Sequence, residues 1–578
     1  MTGHRATLSL IVLLAAAGAV VLAFALRVRS PGSDSSSATA LVLDVPSTLE
    51  ESEPPDRPLV LGPGRRGRVT LYAMVNAIER AAEDDHVGAI VLHIDGIGWG
   101  WAKLAEVRDA LRRFAAAGKP IYASLSGGGE AEYLLASAAR IVSMPPTATL
   151  QLDGLSATVL FLRGTLDKVG VSPNFVHVGR YKSAIETYAR RDMSSPAREA
   201  LEALLDDHYR LLVDSLASAR GRSPAFIQRQ LDEGPFEARE ARSRGLIDTM
   251  LYQPDLDSLA TRRGRARLST MPFRRYADRV SRPHGAHVAL IVASGTIVPG
   301  KSHVGANGEW FLGAETLIEA LNEARQRHSI RAVVLRIDSP GGDAGASDDI
   351  WREVKRCRAK KPVIASFSDY AASGGYYIAM GADSIVSGPA TITGSIGIYG
   401  GKMNVRGLLG KLGVSVETVS RGAHAQMFSP LRDFTAEEAQ RFGRQLEDHY
   451  RVFVARVAEN RRMSPARVED VAQGRVWTGL AARERGLVDA LGGIDRALEM
   501  SRLRAGLPRD EELVVERLPR PRVSLLQSLF ESLFSGDDGD AAERLALPVP
   551  EALRTLVAAS RFPAGTALAH LPFAITIR

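Results

Sequence analysis

Only one cysteine, Cys357, occurs in the 578 residues of this chain. No intrachain disulfide is therefore possible. With the histidines dispersed as well, no ligand spacing for a metal centre is present. Cys357 sits in a basic helical stretch, REVKRCRAKK, with no partner in sequence that would give it redox or nucleophilic chemistry. Nor does any recognised nucleic-acid-binding motif accompany the net charge of +7. The arginines are densest from Arg262 to Arg282, where Asp278 is the sole acid. That run reads as a solvated linker, with contact to anionic lipid headgroups as the alternative.

Long apolar runs are also scarce. The one exception is residues 8–26, LSLIVLLAAAGAVVLAFAL, which carry no charge. As a helix they would span about 28 Å, close to the hydrocarbon thickness of a bilayer. The run ends directly in Arg27 and Arg29 rather than in a small-residue cleavage site, which predicts an uncleaved anchor. Arg5 on one side and two arginines on the other leave orientation undecided by charge. Residues 30–39 (SPGSDSSSAT) read as a flexible tether. Without a second such run, nearly all the mass is expected in one aqueous compartment.

What the chain does have, it has twice. RVTLYAMVNAIERAAEDDHVGAIVLHID at 68–95 aligns without a gap to FLGAETLIEALNEARQRHSIRAVVLRID at 311–338. LDKVGV, DDHYRLLV and RGLID of the first half return as LGKLGV, EDHYRVFV and RGLVD in the second. A nearly constant offset over such a distance means two copies of one domain. The copies differ where chemistry would sit. Ser373, in YAASGGYY, falls on Gly129 of the first copy. Lys182, in GRYKSAIETYARRD, falls on Ala423 or His424 of the second. One copy keeps a candidate nucleophile, the other a candidate base.

Within each copy the pattern alternates between strand and helix. LVLDV at 41–45 and VALIV at 288–292 open the copies as short strands. TLIEALNEA at 316–324 has apolar residues at helical spacing, and AVVLRID at 332–338 reads as a buried strand. A helix around 346–359, a strand at 362–368, a turn at 370–374 into a helix, and a strand at DSIVSGP follow. This order predicts an α/β fold with parallel sheets. Long charged helices close the copies at 196–218 and 435–460. The expected division is anchor and tether 1–39, first repeat 40–283, second repeat 284–505 and a tail 506–578. In the tail, VSLLQSLFESLF at 523–534 has an amphipathic pattern suited to packing on the body or lying on a membrane surface. Residues 535–541 read as an exposed loop.

Two glycine motifs follow one another in the second copy. The strand AVVLRID runs into Ser339-Pro340-Gly341-Gly342, whose glycines let backbone N–H groups approach a ligand or a developing oxyanion. After one intervening strand, Ser373 stands between small residues at a strand-to-helix turn, with the N–H of Gly374 just beyond it. Either motif alone is compatible with a tight turn; their order and spacing are more specific.

DSPGGD, AASGGYYIAMGAD, TGSIGIYG and GRYKSAIETYARRD together resemble the signal peptide peptidase A (protease IV) family in its long, duplicated, membrane-anchored form. The resemblance runs from about residue 40 to 505. It implies two tandem repeats of the Clp/crotonase-like fold behind one N-terminal transmembrane helix. It also implies a serine–lysine endopeptidase that degrades cleaved signal peptides and other hydrophobic peptides. By the same resemblance Ser373 is the nucleophile, Lys182 the general base and Ser395 the residue that orients the amine. Gly341, Gly342 and Gly374 form the oxyanion region, and no cofactor or metal is needed. A homotetramer, held in the bacterial inner membrane with its catalytic part on the periplasmic side, would follow.

A lysine can act as a base only when neutral, although its ordinary pKa is about 10.4. Burial lowers it, so Lys182 is expected to be desolvated where the repeats meet. A histidine base is the rival. No histidine lies between Ser373 and His424, which makes His424 the best alternative. His208 and His449 recur in both copies and read as structural. Two other classes stay open: a crotonase-like acyl-CoA enzyme, and a degenerate peptidase serving as a non-catalytic membrane scaffold. The first copy's DGIGWGW in place of DSPGGDA marks it as a supporting half without a second site. Asp338 stands where a neutral residue is expected and receives no role.

Overall fold

The computed structural model describes residues 38–52, 69–263, 266–279, 285–305, 309–519 and 565–570. The expected anchor at 8–26 and the amphipathic stretch at 523–534 lie outside them. No helix among the described residues is long and apolar enough to cross a membrane.

The first repeat builds a five-stranded sheet from β1 (Thr39–Asp44), β2 (Val87–Ile94), β3 (Ile121–Leu125), β4 (Ile141–Ser143) and, at its far edge, β6 (Ser269–Pro272). The order is β6-β1-β2-β3-β4 and every pairing is parallel. Between these strands run α1 (Leu71–Glu83), α2 (Trp101–Ala116) and α3 (Glu130–Ala136), then the long α4 (Ser195–Arg220). A further strand, β5 (Ser172–Val178), leaves this sheet altogether.

The second repeat repeats the plan. Its main sheet contains β7 (Ala286–Ser294), β10 (Ile330–Ser339), β12 (Val363–Ala372) and β13 (Ser384–Ser387), all joined in parallel. The helices α5 (Ala314–Gln326), α6 (Ala344–Arg358), α7 (Gly374–Ala379) and α8 (Ala436–Arg461) occupy the places of α1 to α4. The two long helices start in the same way. Ser194 accepts the N–H of Ala197 ahead of α4, and Thr435 with Glu438 forms a reciprocal cap ahead of α8. An α/β fold of parallel sheets, built twice, is thus what the alternation of patterns specifies.

The strand expected at 362–368 continues to Ala372, because Tyr370 to Ala372 pair with β14 (Ile392–Gly394), which β16 (Val476–Thr478) covers on its other side. The segment after 505 also joins the fold. β17 (Leu513–Leu518) lies parallel to β7, as β6 lies parallel to β1, so the edge strand too is duplicated.

Side chains on alternate sides of the second sheet enter different cores. Val288, Leu290, Val334 and Ile364 pack with the first repeat, whereas Ala289, Ile291, Val333, Leu335 and Val363 pack with the second. A sheet buried on both faces reads as a continuous apolar run, which is why AVVLRID shows no alternation. The two repeats therefore share a core across this sheet.

A third, seven-stranded sheet draws on both repeats and on the end of the chain. It contains, in order, an edge strand at His303–Val304, β9 (Trp310–Gly313), β8 (Thr296–Val298), β11 (Gly341–Asp343), β18 (Leu568–His570), β15 (Ile398–Asn404) and β5. Strand β5 pairs antiparallel with β15, Val178 opposite Ile398. That register brings the residues just after β5 beside those just before β15.

Candidate active site

Ser373 links β12 to α7 as the N-cap of the helix, with φ 54° and ψ −112°. Few non-glycine residues adopt a positive φ, and strain of this kind collects at functional turns. The turn is held by the Ser373 N–H donating to Gly394 O at 2.8 Å, and by the Tyr377 N–H donating to Ser373 O at 2.8 Å. The serine is completely buried.

Lys182 arrives from the first repeat, four residues beyond the end of β5. Its segment docks on the second repeat. The Tyr181 N–H donates to Gln473 O at 2.7 Å, and the Arg180 N–H to Gln473 Oε1 at 3.2 Å. Gly474, at φ 78°, lies so close that a Cβ there would fall 2.6 Å from the Lys182 nitrogen. Only glycine admits this approach.

Lys182 Nζ lies 2.8 Å from Ser373 Oγ, 3.0 Å from Ser395 Oγ and 3.1 Å from Ser395 O. Ser395 itself has φ 52°, on the short link between β14 and β15. The lysine is 1 % exposed, and none of its hydrogen-bond partners is a carboxylate. Burial alone drives its pKa well below the ordinary lysine value. The three residues expected to meet do meet, and within one chain.

The expected glycines line the same space with different tasks. Gly341 has φ 101° and directs its N–H to Ser339 Oγ at 3.2 Å. Ser339 Oγ in turn donates to Gly295 O at 2.7 Å. Gly342 packs against β8, where a Cβ would fall 2.0 Å from Ile297 O. A Cβ on Gly374 would lie 3.1 Å from Gly342 N, so the two backbones close on one point.

Beneath the site lies a buried charge network that sequence patterns did not disclose. Lys103 of α2 pairs with Asp338 at 2.7 Å and with Asp369 at 3.4 Å. The Ala102 and Lys103 N–H groups donate to Asp369 at 3.1 and 3.0 Å, and the Tyr370 N–H donates to Asp338 at 3.2 Å. Burial pushes the Asp369 carboxyl up to about 6 despite Lys103. Arg336, fully buried in β10, pairs with Glu51 at 3.0 Å and Glu106 at 2.8 Å, both in the first repeat. Asp338 thus has a structural task, joining the strand before Ser339 to the other repeat.

The remaining candidates lie elsewhere. His424 faces Glu437 and Glu438, at 3.7 and 3.9 Å. His208 is buried between the carbonyls of Leu204 and Ala390, as a structural histidine would be. Cys357 is buried in α6 with its thiol raised to about 11 by burial, an inert position. No cluster of metal-ligating side chains occurs among the described residues.

The model of "Peptidase family S49" matches residues 113–262 and 355–507, one segment in each repeat. "Serine protease SPPA, chloroplastic" of Arabidopsis thaliana is 36% identical over 456 residues, covering 77% of this chain and 67% of that one. "Protease 4" of Salmonella typhi is 32% identical over 454 residues, covering 75% and 72%. "Protease 4" of Haemophilus influenzae is 30% identical over 507 residues, covering 84% and 81%. The chain belongs to peptidase family S49, carries that family's domain twice, and is a serine peptidase.

Proposed function

We propose that the chain is a serine–lysine endopeptidase with one active site, divided between its repeats. The observation that carries this is the 2.8 Å contact of Lys182 Nζ with Ser373 Oγ in a fully buried site. A serine hydroxyl is a weak nucleophile until a base removes its proton. A neutral amine has two N–H groups and one lone pair. Ser395 O and Ser395 Oγ take the N–H groups, which leaves the lone pair for the Ser373 hydroxyl. Desolvation disfavours the ammonium form and so favours the neutral amine. The N–H groups of Gly342 and Gly374 supply the oxyanion site, with Gly341 shaping the approach. Paired glycines and parallel sheets support kinship with the Clp protease and crotonase-like fold.

The substrates we propose are cleaved signal peptides and other extended hydrophobic peptides. The place that β18 takes between β11 and β15 supports an extended ligand, since a chain laid there gains main-chain hydrogen bonds from both sides. Residues 8–26 would hold the enzyme in the bacterial inner membrane, with its catalytic part on the periplasmic side, as a homotetramer. A sedimentation measurement that finds a fully active monomer would contradict the tetramer. The chemistry is tested by peptide hydrolysis with the purified chain beside Ser373→Ala and Lys182→Ala. Both variants should be folded and inactive; a Lys182→Ala enzyme at the wild-type rate would remove the lysine from the mechanism.

A further inference from the structure

The first repeat has a cavity of about 470 Å³ beside the start of β3, where the C-terminal ends of α2, α3 and α4 meet. The second repeat has one of about 330 Å³ in the corresponding place, at the ends of α6, α7 and α8. Matching bonds fix the correspondence. The Arg140 N–H donates to Ile121 O at 2.9 Å, and the Asp383 N–H to Val363 O at 2.8 Å, so Arg140 stands where the other repeat has Asp383. Arg220 pairs with Asp248 as Arg461 pairs with Asp489, which sets Ser218 against Glu459. Along α2 and α6 the same order of buried and exposed residues sets Arg108 against Trp351 and Arg112 against Lys355.

These differences change the charge of the cavity in one direction. The second cavity is lined by the carboxylates of Asp383, Glu459 and Asp489. They pair with Arg358 at 3.1 Å, Lys355 at 2.6 Å and Arg461 at 2.6 Å. The first is lined by Arg108, Arg112, Lys119 and Arg140 and by no carboxylate. Lys119 turns its amine to the Ala81 and Asp84 carbonyls, at 2.8 and 2.7 Å, which leaves three guanidiniums. Arg108 is only 6 % exposed. Of its five N–H donors one reaches Ser137 Oγ and one Ser215 O, both at 3.1 Å, and none reaches a carboxylate. Burial, with Arg112 beside it, pushes its pKa down to about 10. Arg112 has only Asp109, at 3.7 Å, and Arg140 has no ion pair among the described residues. A buried charge is costly unless it is paired. Helix dipoles do not account for the missing acids, since the same three helix ends meet around carboxylates in the second repeat.

We propose that the cavity of the first repeat binds a phosphate group carried on a small molecule, with Arg108, Arg112 and Arg140 as its cations. Guanidinium offers paired N–H donors that match two phosphate oxygens, and the anion supplies the counter-ion that Arg108 lacks. The volume falls within the range of about 300–1,000 Å³ usual for small-molecule pockets, so there is room for the group that bears the phosphate. Two sources share this chemistry, a soluble phosphate ester and the headgroup of a phospholipid. Ser373, Lys182 and Ser395 do not line the cavity, so the proposal stands apart from the peptidase chemistry.

Isothermal titration calorimetry of the purified full-length chain in a neutral detergent tests this. Glycerol 3-phosphate represents the soluble ester and a short-chain phosphatidylglycerol the lipid headgroup. Arg140→Asp combined with Ser218→Glu brings the acids of the second cavity into the first at two exposed positions, and Arg108→Met removes the buried cation. Cooperative thermal unfolding shows that each variant is folded. Wild type should bind, and the double variant should bind about ten- to a hundredfold more weakly, the reach of hydrogen bonds to a charged group. Binding of glycerol 3-phosphate assigns the site to soluble esters; binding of the short-chain lipid alone assigns it to the headgroup. Three results would overturn the inference: no binding of either ligand, binding that the double variant leaves unchanged, or undiminished binding by folded Arg108→Met. Should Arg108→Met fail to fold, the double variant still decides.

Discussion

Helices α3 and α7 begin at corresponding places in the two repeats, yet side-chain carboxylates close one start and a backbone carbonyl faces the other. In the first repeat the Glu132 carboxylate accepts the N–H of Ile97 at 2.6 Å and of Gly129 at 2.9 Å. Glu130 accepts the N–H of Asp153 and Gly154 at 2.9 and 2.8 Å. Built-in carboxylates thus occupy the donors of that half. In the second repeat Gly374, Gly375 and Tyr376 stand there, and Gly342 and Gly374 face the Ala569 carbonyl instead. Matched by helix N-cap, Ser373 falls on Gly129. Matched by the buried tyrosine whose hydroxyl bonds the carbonyl of Leu246 or Leu487, it falls on Glu130. Neither position carries a hydroxyl. On the proposed mechanism, duplication supplied two folds, and the fold without a nucleophile bears the base.

The sharpest way to break this comparison is to remove what each repeat contributes. Lys182→Ala should lower kcat/KM by about 10² to 10⁴, the usual reach of a general base. His424→Lys should not restore it, because His424 faces Glu437 and Glu438. Peptide hydrolysis measures both.

Joining the repeats can be attacked next. Arg336→Met leaves Glu51 and Glu106 buried without their cation and should cost about 3–5 kcal/mol, read as a lower urea midpoint.

The lysine ties stability to pH in a direction that can be checked. Its folded pKa is depressed, so between that value and about 10.4 the unfolded chain binds a proton that the folded chain does not. Stability from this group therefore rises with pH across that window. Lys182→Met should be more stable than wild type at pH ~7, and the difference should vanish above about 10.4. Hydrolysis should fall as pH drops through the depressed pKa and stay level through about 10.4; a rate that instead climbs with a group near 10.4 would contradict a desolvated base.

Smaller effects should follow from the edges of the site. Ser395→Ala removes one hydrogen bond to the amine and should cost about fivefold in kcat, since one such bond is worth about 1 kcal/mol. Gly129→Ser, in a Ser373→Ala background, should restore no hydrolysis at all, since Glu130 and Glu132 already hold the donors there.

Much of this was legible in the sequence because it is local. Strand and helix order and the turn at Ser373 follow from periodicity and from small residues in a row. The pairing of Ser373 with Lys182 followed from reading the two copies as complements. The buried charges did not show. Arg336 interrupts an apolar strand and looks like an exception until Glu51 and Glu106 are brought to it from the other repeat. Asp338 was likewise unassigned, because its partner Lys103 lies on a helix of the first copy with no pattern linking them. The stretch after 505 yielded least. LVVERL at 513–518 has the composition of an edge strand, and its counterpart β6 was the signal that could have placed it. Nothing in TALAH marks it as the occupant of a groove; only the register of the third sheet does that.

A single site made by both repeats of one chain is tested most directly by complementation. Ser373→Ala and Lys182→Ala chains carrying different tags would be co-expressed, isolated together by sequential purification, and assayed for peptide hydrolysis. The geometry predicts no recovered activity, because each chain still lacks one member of its own pair. Recovery of a substantial fraction of the wild-type rate would show that serine and lysine meet between chains, and would contradict a site completed within one.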